Sequence, residues 1–584
     1  MTLARQKKPL QEIGARIHSF HGGLRLRHHK KVSCGDPVEQ PPLPKLLSVP
    51  LTQHAGGAAA PLVSAGETVL KGQPIGRCQP CAQIHSPVSG VVEAIEDRPM
   101  THPSGKMGPC VVIRPDGREQ WTGLKPISDW KTASPDSLIM QMQDCGLAGL
   151  GGAVFPTHKK TRDGRDRRIH TLVLNGAECE PWISCDEMLM REQPDKIVLG
   201  ARILRRALGA SRVVIAIEDQ MGAVQAALSQ AAECAECQNI SVVKVPKIYP
   251  EGGERQLIQV LTGLEVPLGG RPSQLGLVCQ NVATAAAVAD AVVEGKPLIE
   301  RYITVTGHGI SHPRNFRALV GTSFSHLVEL CGGYTKDVAR LVVGGPMMGF
   351  PVASDASPVV KASNCILALT EDDISDTQVE MPCIRCGECA RVCPASLLPQ
   401  QLFLQVRNEL WTQAAEWGLA ACIECGCCDV VCPSHIPLVE WFRFGKGERR
   451  KLAMEAEASE LARKRFENRE ARLARLKLER AEKMQRRKQI LKDKASQQDR
   501  IQASIERARS RAARQAASTA KGPGDDASLS YQWRTPRCAA NQRGQRDAAG
   551  PVGPAARCAH IRLVFRARCI GTNCTGSFLC LVVR

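Results

Sequence analysis

The stretch MPCIRCGECARVCPASLLPQQLFLQVRNELWTQAAEWGLAACIECGCCDVVCPSHIP, residues 381–437, repeats one cysteine spacing twice. The first copy is Cys383-x2-Cys386-x2-Cys389-x3-Cys393-Pro394, and the second is Cys422-x2-Cys425-x2-Cys428-x3-Cys432-Pro433, with Cys427 outside the register. Zinc sites usually draw their four ligands from two separated Cys-x2-Cys pairs, not from a triplet followed by a fourth cysteine and proline. Disulfides need an oxidising compartment, and the chain opens MTLARQKKPLQ with no apolar leader, which points to a reducing one.

Iron–sulfur ligation fits the spacing instead. In this arrangement three close thiolates hold one [4Fe-4S] cube and the fourth reaches across to the other. Cys383, Cys386, Cys389 and Cys432 are then expected on one cluster, and Cys422, Cys425, Cys428 and Cys393 on the second. Two adjacent clusters imply serial one-electron transfer.

At 584 residues the chain has room for several domains. It contains no apolar run of membrane-spanning length, so a soluble or peripheral protein is expected. The net charge of +19 is concentrated at one end. Residues 446–521 carry 24 Lys and Arg against 11 Asp and Glu, and residues 522–584 carry 9 against 3, which leaves the body neutral. The basic excess therefore says nothing about the chemistry of the body. Two more pairs, Cys78/Cys81 and Cys234/Cys237, have no third ligand nearby, which argues against a metal or redox role.

Residues 1–125 read as short strands and turns, with VSAGETVLKGQPIGR (63–77) followed by IHSPVSGVVEAIED (84–97). The pairing resembles the barrel-sandwich hybrid of lipoyl and biotinyl carrier domains. Pro87-Val88-Ser89 stands where the modified lysine would be, so a structural or docking role is expected. From about residue 137 helices and strands alternate, as in an α/β layer on a mostly parallel sheet. GLGGAVFPTHKK (149–160) is a glycine-rich turn whose N–H groups can approach a phosphate, with lysine beyond to neutralise it. HTLVLNGAECEPWISCD (170–186) delivers Asn175, Glu178 and Glu180, and QNVAT places Asn281 and Thr284 at a helix start. Residues 296–365 return to strand character. After Gly445 the composition turns to Ala, Glu, Lys, Arg and Leu, without glycine or proline over about 448–521, which favours a long helix. Heptad pairs Phe466/Leu473 and Met484/Leu491 are interrupted between them. Residues 522–584 carry five scattered cysteines and read as a disordered or frame-shifted extension.

GLGGAVFPTHKK, NGAECEP and QNVAT resemble the three flavin motifs of the NADH-oxidising flavoprotein subunit of respiratory complex I. With the N-terminal HGGLRLRHHKK and the two cysteine motifs, the order from about 18 to 480 resembles the RnfC (RsxC) family of the Rnf electron-transport complex. The resemblance implies a multidomain α/β plus β protein: a barrel-sandwich hybrid (1–125), a Rossmann-like FMN/NADH domain (126–295), a β-grasp domain (296–365), a helical two-cluster ferredoxin domain (366–445) and a basic helical tail (446–521). It implies FMN and two [4Fe-4S] clusters as cofactors and NADH as substrate. Gly151, Gly152 and Lys160 would face the FMN phosphate; Asn175, Asn281, Thr284 and the candidate catalytic pair Glu178 and Glu180 would line the flavin and nicotinamide pocket. Where the flavoprotein has glycine, this chain has Val154.

The implied function is electron input to a membrane complex that couples electron transfer to ion translocation, from the cytoplasmic face of the bacterial inner membrane. The implied partners are the other subunits and NAD(H). An anionic membrane surface is a candidate partner for the basic tail. Nucleic acid is not favoured, because no aromatic residues interleave the charges. The alternatives are a diaphorase subunit of a soluble hydrogenase or formate dehydrogenase, and a non-catalytic iron–sulfur scaffold without flavin.

Overall fold

The computed structural model describes residues 13–518, except 15, 54, 56, 79–81, 336–337 and 375–378. Residues 522–584, expected as an extension, and Cys81 lie outside the described residues. The chain divides into two compact units, Met1–Leu452 and Ala453–Arg584.

The first unit begins with seven strands: β1 (Leu47–Pro50), β2 (Ala60–Pro61), β3 (Thr68–Val69), β4 (Pro74–Arg77), β5 (Ile84–His85), β6 (Gly90–Pro99) and β7 (Met107–Pro115). They form a four-stranded sheet in the order β1-β7-β6-β3 and a three-stranded sheet in the order β2-β4-β5. Leu47, Val69, Ile75, Ile84 and Val111 share one core, and Val88 of the Pro87-Val88-Ser89 turn is buried in it.

Next come α1 (Pro135–Asp144), α2 (Thr157–Arg165), β8 (Thr171–Gly176), α3 (Cys185–Glu192), α4 (Pro194–Leu208), β9 (Arg212–Glu218), α5 (Gly222–Ala231), β10 (Ile240–Val245), α6 (Glu254–Thr262), β11 (Leu277–Asn281) and α7 (Val282–Ala289). The four strands are parallel, in the order β10-β9-β8-β11. Alternate residues of β8 explain why it has no polar face: Leu172 and Leu174 enter the core beneath α4, while Val173 enters the separate core beneath α6. A sheet covered by helices on both faces calls for such a continuous apolar run. Helix α4 buries Ile197, Ala201, Leu204 and Leu208 along one stripe and stops at Gly209, whose φ of 68° suits glycine.

A mixed sheet follows, built from β12 (Glu300–Thr306), β13 (Arg314–Leu319), β14 (Val338–Val343), β15 (Phe350–Pro351) and β16 (Cys365–Thr370) in the order β13-β12-β16-β14-β15. Helix α8 (Phe324–Leu330) packs Phe324, Leu327 and Val328 onto it. The cysteine region then folds around α9 (Glu388–Arg391), α10 (Pro399–Arg407), α11 (Trp411–Glu416) and α12 (Cys427–Val430). Helix α13 (Leu438–Ser518) starts inside the span expected to end at 445, because Leu438, Val439 and Phe442 make its first turns part of the cysteine-region core. In the second unit the described residues are the continuation of this helix, and their side chains are almost all exposed.

Lys361 fastens three parts of the first unit. Its ammonium is buried and donates to Gln83 O at 3.0 Å in the sandwich and to Gly146 O at 2.7 Å after α1. Gly146, at φ 66°, permits this approach, since a Cβ there would lie 2.3 Å from Gln83 O. Burial lowers the Lys361 pKa to about 7. Lys361→Met keeps the stem and removes both donors. A buried acceptor left unpaired costs about 1–3 kcal/mol, so thermal denaturation should show a destabilisation of roughly 2 kcal/mol or more. An unchanged melting curve would show that Lys361 is not an interdomain fastener.

Candidate functional site

In an open parallel sheet ligands bind beyond the carboxyl ends of the strands, where the strand order reverses. Here that point lies between β8 and β11, and the register sets their last paired residues, Asn175 and Asn281, side by side. The glycine loop between α1 and α2 comes to the same place. A Cβ on Gly151 would sit 3.3 Å from Asn281 Cβ, Gly152 has φ 98°, and Leu150 N donates to Thr284 Oγ1 at 2.9 Å. Val154 is buried and holds a left-handed φ of 47°, the conformation its glycine counterpart would adopt freely. For a β-branched residue that is strain of about 1–3 kcal/mol.

Asn281 caps α7 by accepting from Ala283 N at 2.8 Å and Thr284 N at 3.4 Å, and it donates to Asp186 Oδ2 at 2.5 Å. Asn175 donates to Gly252 O at 2.8 Å and accepts from Ala177 N at 3.0 Å. Lys160 is half-buried and pairs with Glu254 Oε1 at 2.6 Å. Gly151, Asn281 and Thr284 are therefore brought together, Asn175 stands on the neighbouring strand, and Lys160 is tied to the start of α6.

The two carboxylates of NGAECEP are engaged by the chain itself. Glu178 caps α3, with Oε1 accepting from Asp186 N at 3.0 Å and Oε2 from Glu187 N at 3.4 Å. Lys30 Nζ lies 3.5 Å from Glu178 Oε2 and 3.9 Å from Glu218 Oε2, and it also donates to Glu178 O. Glu180 accepts from Met347 N at 3.2 Å and Met348 N at 2.8 Å, in the turn between β14 and β15. Burial raises both carboxyls to about 7; Lys30 opposes the shift at Glu178, and the two N–H groups oppose it at Glu180. Both groups, expected to line the flavin and nicotinamide pocket, are engaged by backbone here: Glu178 at the strand-to-helix turn before α3, and Glu180 at the turn between β14 and β15. Lys30 belongs to the HGGLRLRHHKK segment, and local sequence gives no sign of its partner, which lies 148 residues away. Burial opposes its charge, yet Glu178, Glu218 and Glu187 together raise its pKa.

Sequence reasoning also missed Glu251, which is 1% exposed. Among the described residues neither of its carboxylate oxygens has a hydrogen-bond partner. Burial, then the charges of Glu218 and Asp219, raise its pKa to about 9. The folded chain thus keeps a proton that the unfolded chain releases near its ordinary value of about 4.3, so stability falls as pH rises from there to about 9. Glu251→Gln mimics the protonated acid. Its unfolding free energy in urea should fall less between pH 6 and 8.5 than the parent's, by about 1–3 kcal/mol. Equal losses in the two proteins would mean that Glu251 is not the group responsible.

The cysteines fall into two pockets. One is lined by Cys383, Cys386, Cys389 and Cys432, the other by Cys393, Cys422, Cys425 and Cys428, with the extra Cys427 in its wall. The two motifs share their backbone turns as well. Arg385 and Glu424 both have φ 58°, Gly387 and Gly426 have 81° and 78°, and Ser396 and His435 have 52° and 50°. These left-handed residues at matching positions curl each motif around its thiols. Sulfur also accepts from the backbone, Cys393 from Leu397 N and Cys422 from Glu424 N, both at 3.4 Å. Four converging thiols ringed by such turns fit a [4Fe-4S] cube in each pocket.

The second pocket is packed against the α/β domain. Tyr249 Oη donates to Cys425 O at 2.6 Å, Gly23 N donates to Val392 O at 2.9 Å, and Gln256 Nε2 donates to Pro394 O at 3.4 Å. At the first pocket Cys386 and Ile384 are exposed.

Crevice, thiol pockets and helical cover define an electron-transfer protein with a flavin-type α/β domain. Residues 18–118 match the RnfC barrel sandwich hybrid domain, 142–290 the Nuo51 FMN-binding domain, 302–351 the SLBB domain and 381–436 the 4Fe-4S dicluster domain. The chain is 41% identical over 543 residues to the RnfC protein of the ion-translocating oxidoreductase complex of Serratia proteamaculans, covering 92% of this chain and 76% of that one. It is 45% identical over 461 residues to the protein of the same name from Pseudomonas aeruginosa, covering 79% of this chain and 59% of that one. The chain belongs to the RnfC family of ion-translocating oxidoreductase complexes. It spans about three-fifths of the length of the Pseudomonas aeruginosa and Edwardsiella ictaluri relatives. Among solved structures, a chain of the NAD+-reducing [NiFe]-hydrogenase in the H2-reduced state is 21% identical with TM-score 0.38, covering 52% of this chain and 61% of that one.

The pockets predict crossed phenotypes. Cys393→Ala should convert the cluster of Cys422, Cys425 and Cys428 to a three-iron form or lose it, and Cys432→Ala should do the same to the cluster of Cys383, Cys386 and Cys389. Electron paramagnetic resonance with iron quantitation separates the two. Damage by Cys393→Ala to the Cys383 cluster alone would refute the crossed ligation.

Proposed function

We propose that this chain is the electron-input subunit of a membrane-bound ion-translocating oxidoreductase, taking electrons from NADH at FMN and passing them singly to two [4Fe-4S] clusters. The observation that carries this reading is the seating of the Cys393/Cys422/Cys425/Cys428 pocket on the α/β domain through Tyr249, with the other pocket beyond it. FMN, when bound, converts a two-electron hydride donor into a source of single electrons.

The chain's own residues position and insulate. Gly151 and Gly152 keep the loop open to a phosphate, Lys160 supplies charge near it, and Asn175, Asn281 and Thr284 set the floor at the strand ends. Glu178 and Glu180 act as positioning residues: one holds Lys30 and the start of α3, the other the turn at Met347 and Met348. Cys393, Cys422, Cys425 and Cys428 would hold the cluster on the side of the α/β domain, and Cys383, Cys386, Cys389 and Cys432 the other, with the exposed Cys386 at its outer side; the clusters would supply one-electron transfer. No helix among the described residues is long and apolar enough to cross a membrane, so attachment at the cytoplasmic face of the inner membrane would come from partner subunits, assisted by the basic helix. The match of residues 18–118 to the RnfC sandwich domain favours this assembly over a soluble hydrogenase diaphorase.

Anaerobically purified protein should contain FMN and about eight iron atoms, the content of two four-iron clusters, and NADH should bleach the flavin and reduce the clusters. Iron and sulfide without flavin, and no response to NADH, would leave only a wiring scaffold. In Glu178→Gln and Glu180→Gln, flavin retention and melting temperature should fall while NADH turnover per bound flavin stays within about twofold of the parent. A tenfold loss of turnover per bound flavin, about 1.4 kcal/mol of barrier, would restore a direct catalytic role.

A further inference from the structure

The pair Cys234/Cys237, to which spacing assigns no role, forms a disulfide between α5 and the edge strand β10. Its cysteines are three residues apart. So small a loop removes little entropy from the unfolded chain, and the bond contributes little as a staple. Its placement is informative. Cys237 is buried in the α/β core, Cys234 is exposed, and Glu236 between them projects into an open pocket of about 590 Å³.

The opposite wall of that pocket carries Lys131, Arg202, Arg205 and Arg206. Among the described residues Glu236 is the one carboxylate lining the pocket, and it engages two of these cations: Oε1 pairs with Lys131 Nζ at 2.7 Å, and Oε2 pairs with Arg202 Nη2. Arg202 also stacks over the Trp130 ring, 5.4 Å from its centroid, and Arg206 donates to Ala133 O at 2.8 Å and 3.1 Å. Cations at the end of α4 complement its dipole, which accounts for some of this charge. It does not account for four cations lining one hollow with a carboxylate that sits between two bridged cysteines. Burial and the neighbouring Arg205 lower the Arg202 pKa, as expected where like charges crowd.

We propose that this pocket is a binding site for a phosphate-bearing ligand and that the Cys234–Cys237 disulfide gates it by holding Glu236 against Lys131 and Arg202. A dithiol reductant attacks the exposed Cys234 sulfur as a thiolate. The Cys234–Cys237 bond breaks and Cys237 departs as a thiolate that takes up a proton. The reductant's second thiol then displaces Cys234 and closes the reductant's own disulfide. In total two electrons and two protons pass to the protein, leaving two thiols, and the released turn lets Glu236 leave the cations to the ligand. The site lies in the α/β layer apart from the strand-end crevice, and the proposal does not depend on the NADH reading.

The test is calorimetric titration of the intact, cluster-loaded protein with inorganic pyrophosphate, with the disulfide oxidised and after reduction by dithiothreitol. Reduction should tighten binding about tenfold, the effect of freeing two exposed ion pairs. Glu236→Gln should bind as the reduced protein does in either state, and the Cys234→Ser/Cys237→Ser double variant should show the reduced affinity without reductant. Arg205→Gln should weaken binding in both states. Flotation with phosphatidylcholine vesicles, with and without phosphatidylglycerol, assigns the ligand: redox-dependent flotation lost in Arg205→Gln identifies a lipid headgroup, and pyrophosphate binding alone identifies a soluble phosphate. Equal pyrophosphate affinity in both redox states, or redox dependence that persists in Glu236→Gln, would overturn the proposal.

Discussion

One buried ammonium organises the molecule around its functional crevice. Lys30 enters on the N-terminal segment and meets Glu178 at the end of β8 and Glu218 at the end of β9. Replacing such a pair with apolar groups often costs no stability, but removing one partner leaves the other as an uncompensated buried charge. The pair therefore contributes definition more than energy, since only one placement of the segment satisfies all three groups. Around it the same segment bonds to each neighbouring part: Gly23 to Val392 of the first cysteine motif, Leu24 to Tyr249, His28 to Trp182, and Ser33 to Ser184 and Asn315. An N-terminal stretch whose regular structure is a single 3-10 turn at Lys30–Val32 thus joins the α/β layer, the mixed sheet and the cysteine region.

The cysteine region is governed by a different constraint. Each pocket is lined by three thiols of one motif and one of the other, so neither pocket is complete without both motifs. The matching left-handed residues in the two copies show one turn geometry used twice. Symmetry ends at the contacts. Tyr249, Gln256 and the N-terminal segment reach only the side holding Cys393 and Cys425, and this asymmetry gives the pair of sites a direction.

Each close cysteine triplet was legible from local spacing, while the fourth thiol that lines each pocket comes from the other motif. The sandwich strands, the helix–strand alternation and the long C-terminal helix were legible from period and composition, and the family resemblance located the crevice motifs. The functions of individual polar groups were not. Glu178 and Glu180 looked like ligand-facing carboxylates because a carboxylate at a strand end is costly unless something uses it. The motif alone does not reveal the backbone that each accepts from: the first N–H groups of α3 at Glu178 and the turn after β14 at Glu180. Val154 stands where the flavoprotein has glycine, and the loop keeps a left-handed backbone there at the expense of local strain.

The amino-acid sequence by itself determined which atoms are available for the chemistry: eight thiols in two registers, a glycine loop, and amides and carboxylates at strand ends. Tertiary structure decided which of those groups remain open to a ligand, because that depends on partners far away in the chain. Lys30 lies 148 residues from Glu178, Lys361 lies 215 from Gly146, and Tyr249 lies 176 from Cys425. Spacing brings together thiols that are a few residues apart, as in each cysteine triplet. Burial and long-range hydrogen bonding arise only when the domains close on one another, and they set the charge of each carboxyl and amine as well as its neighbours.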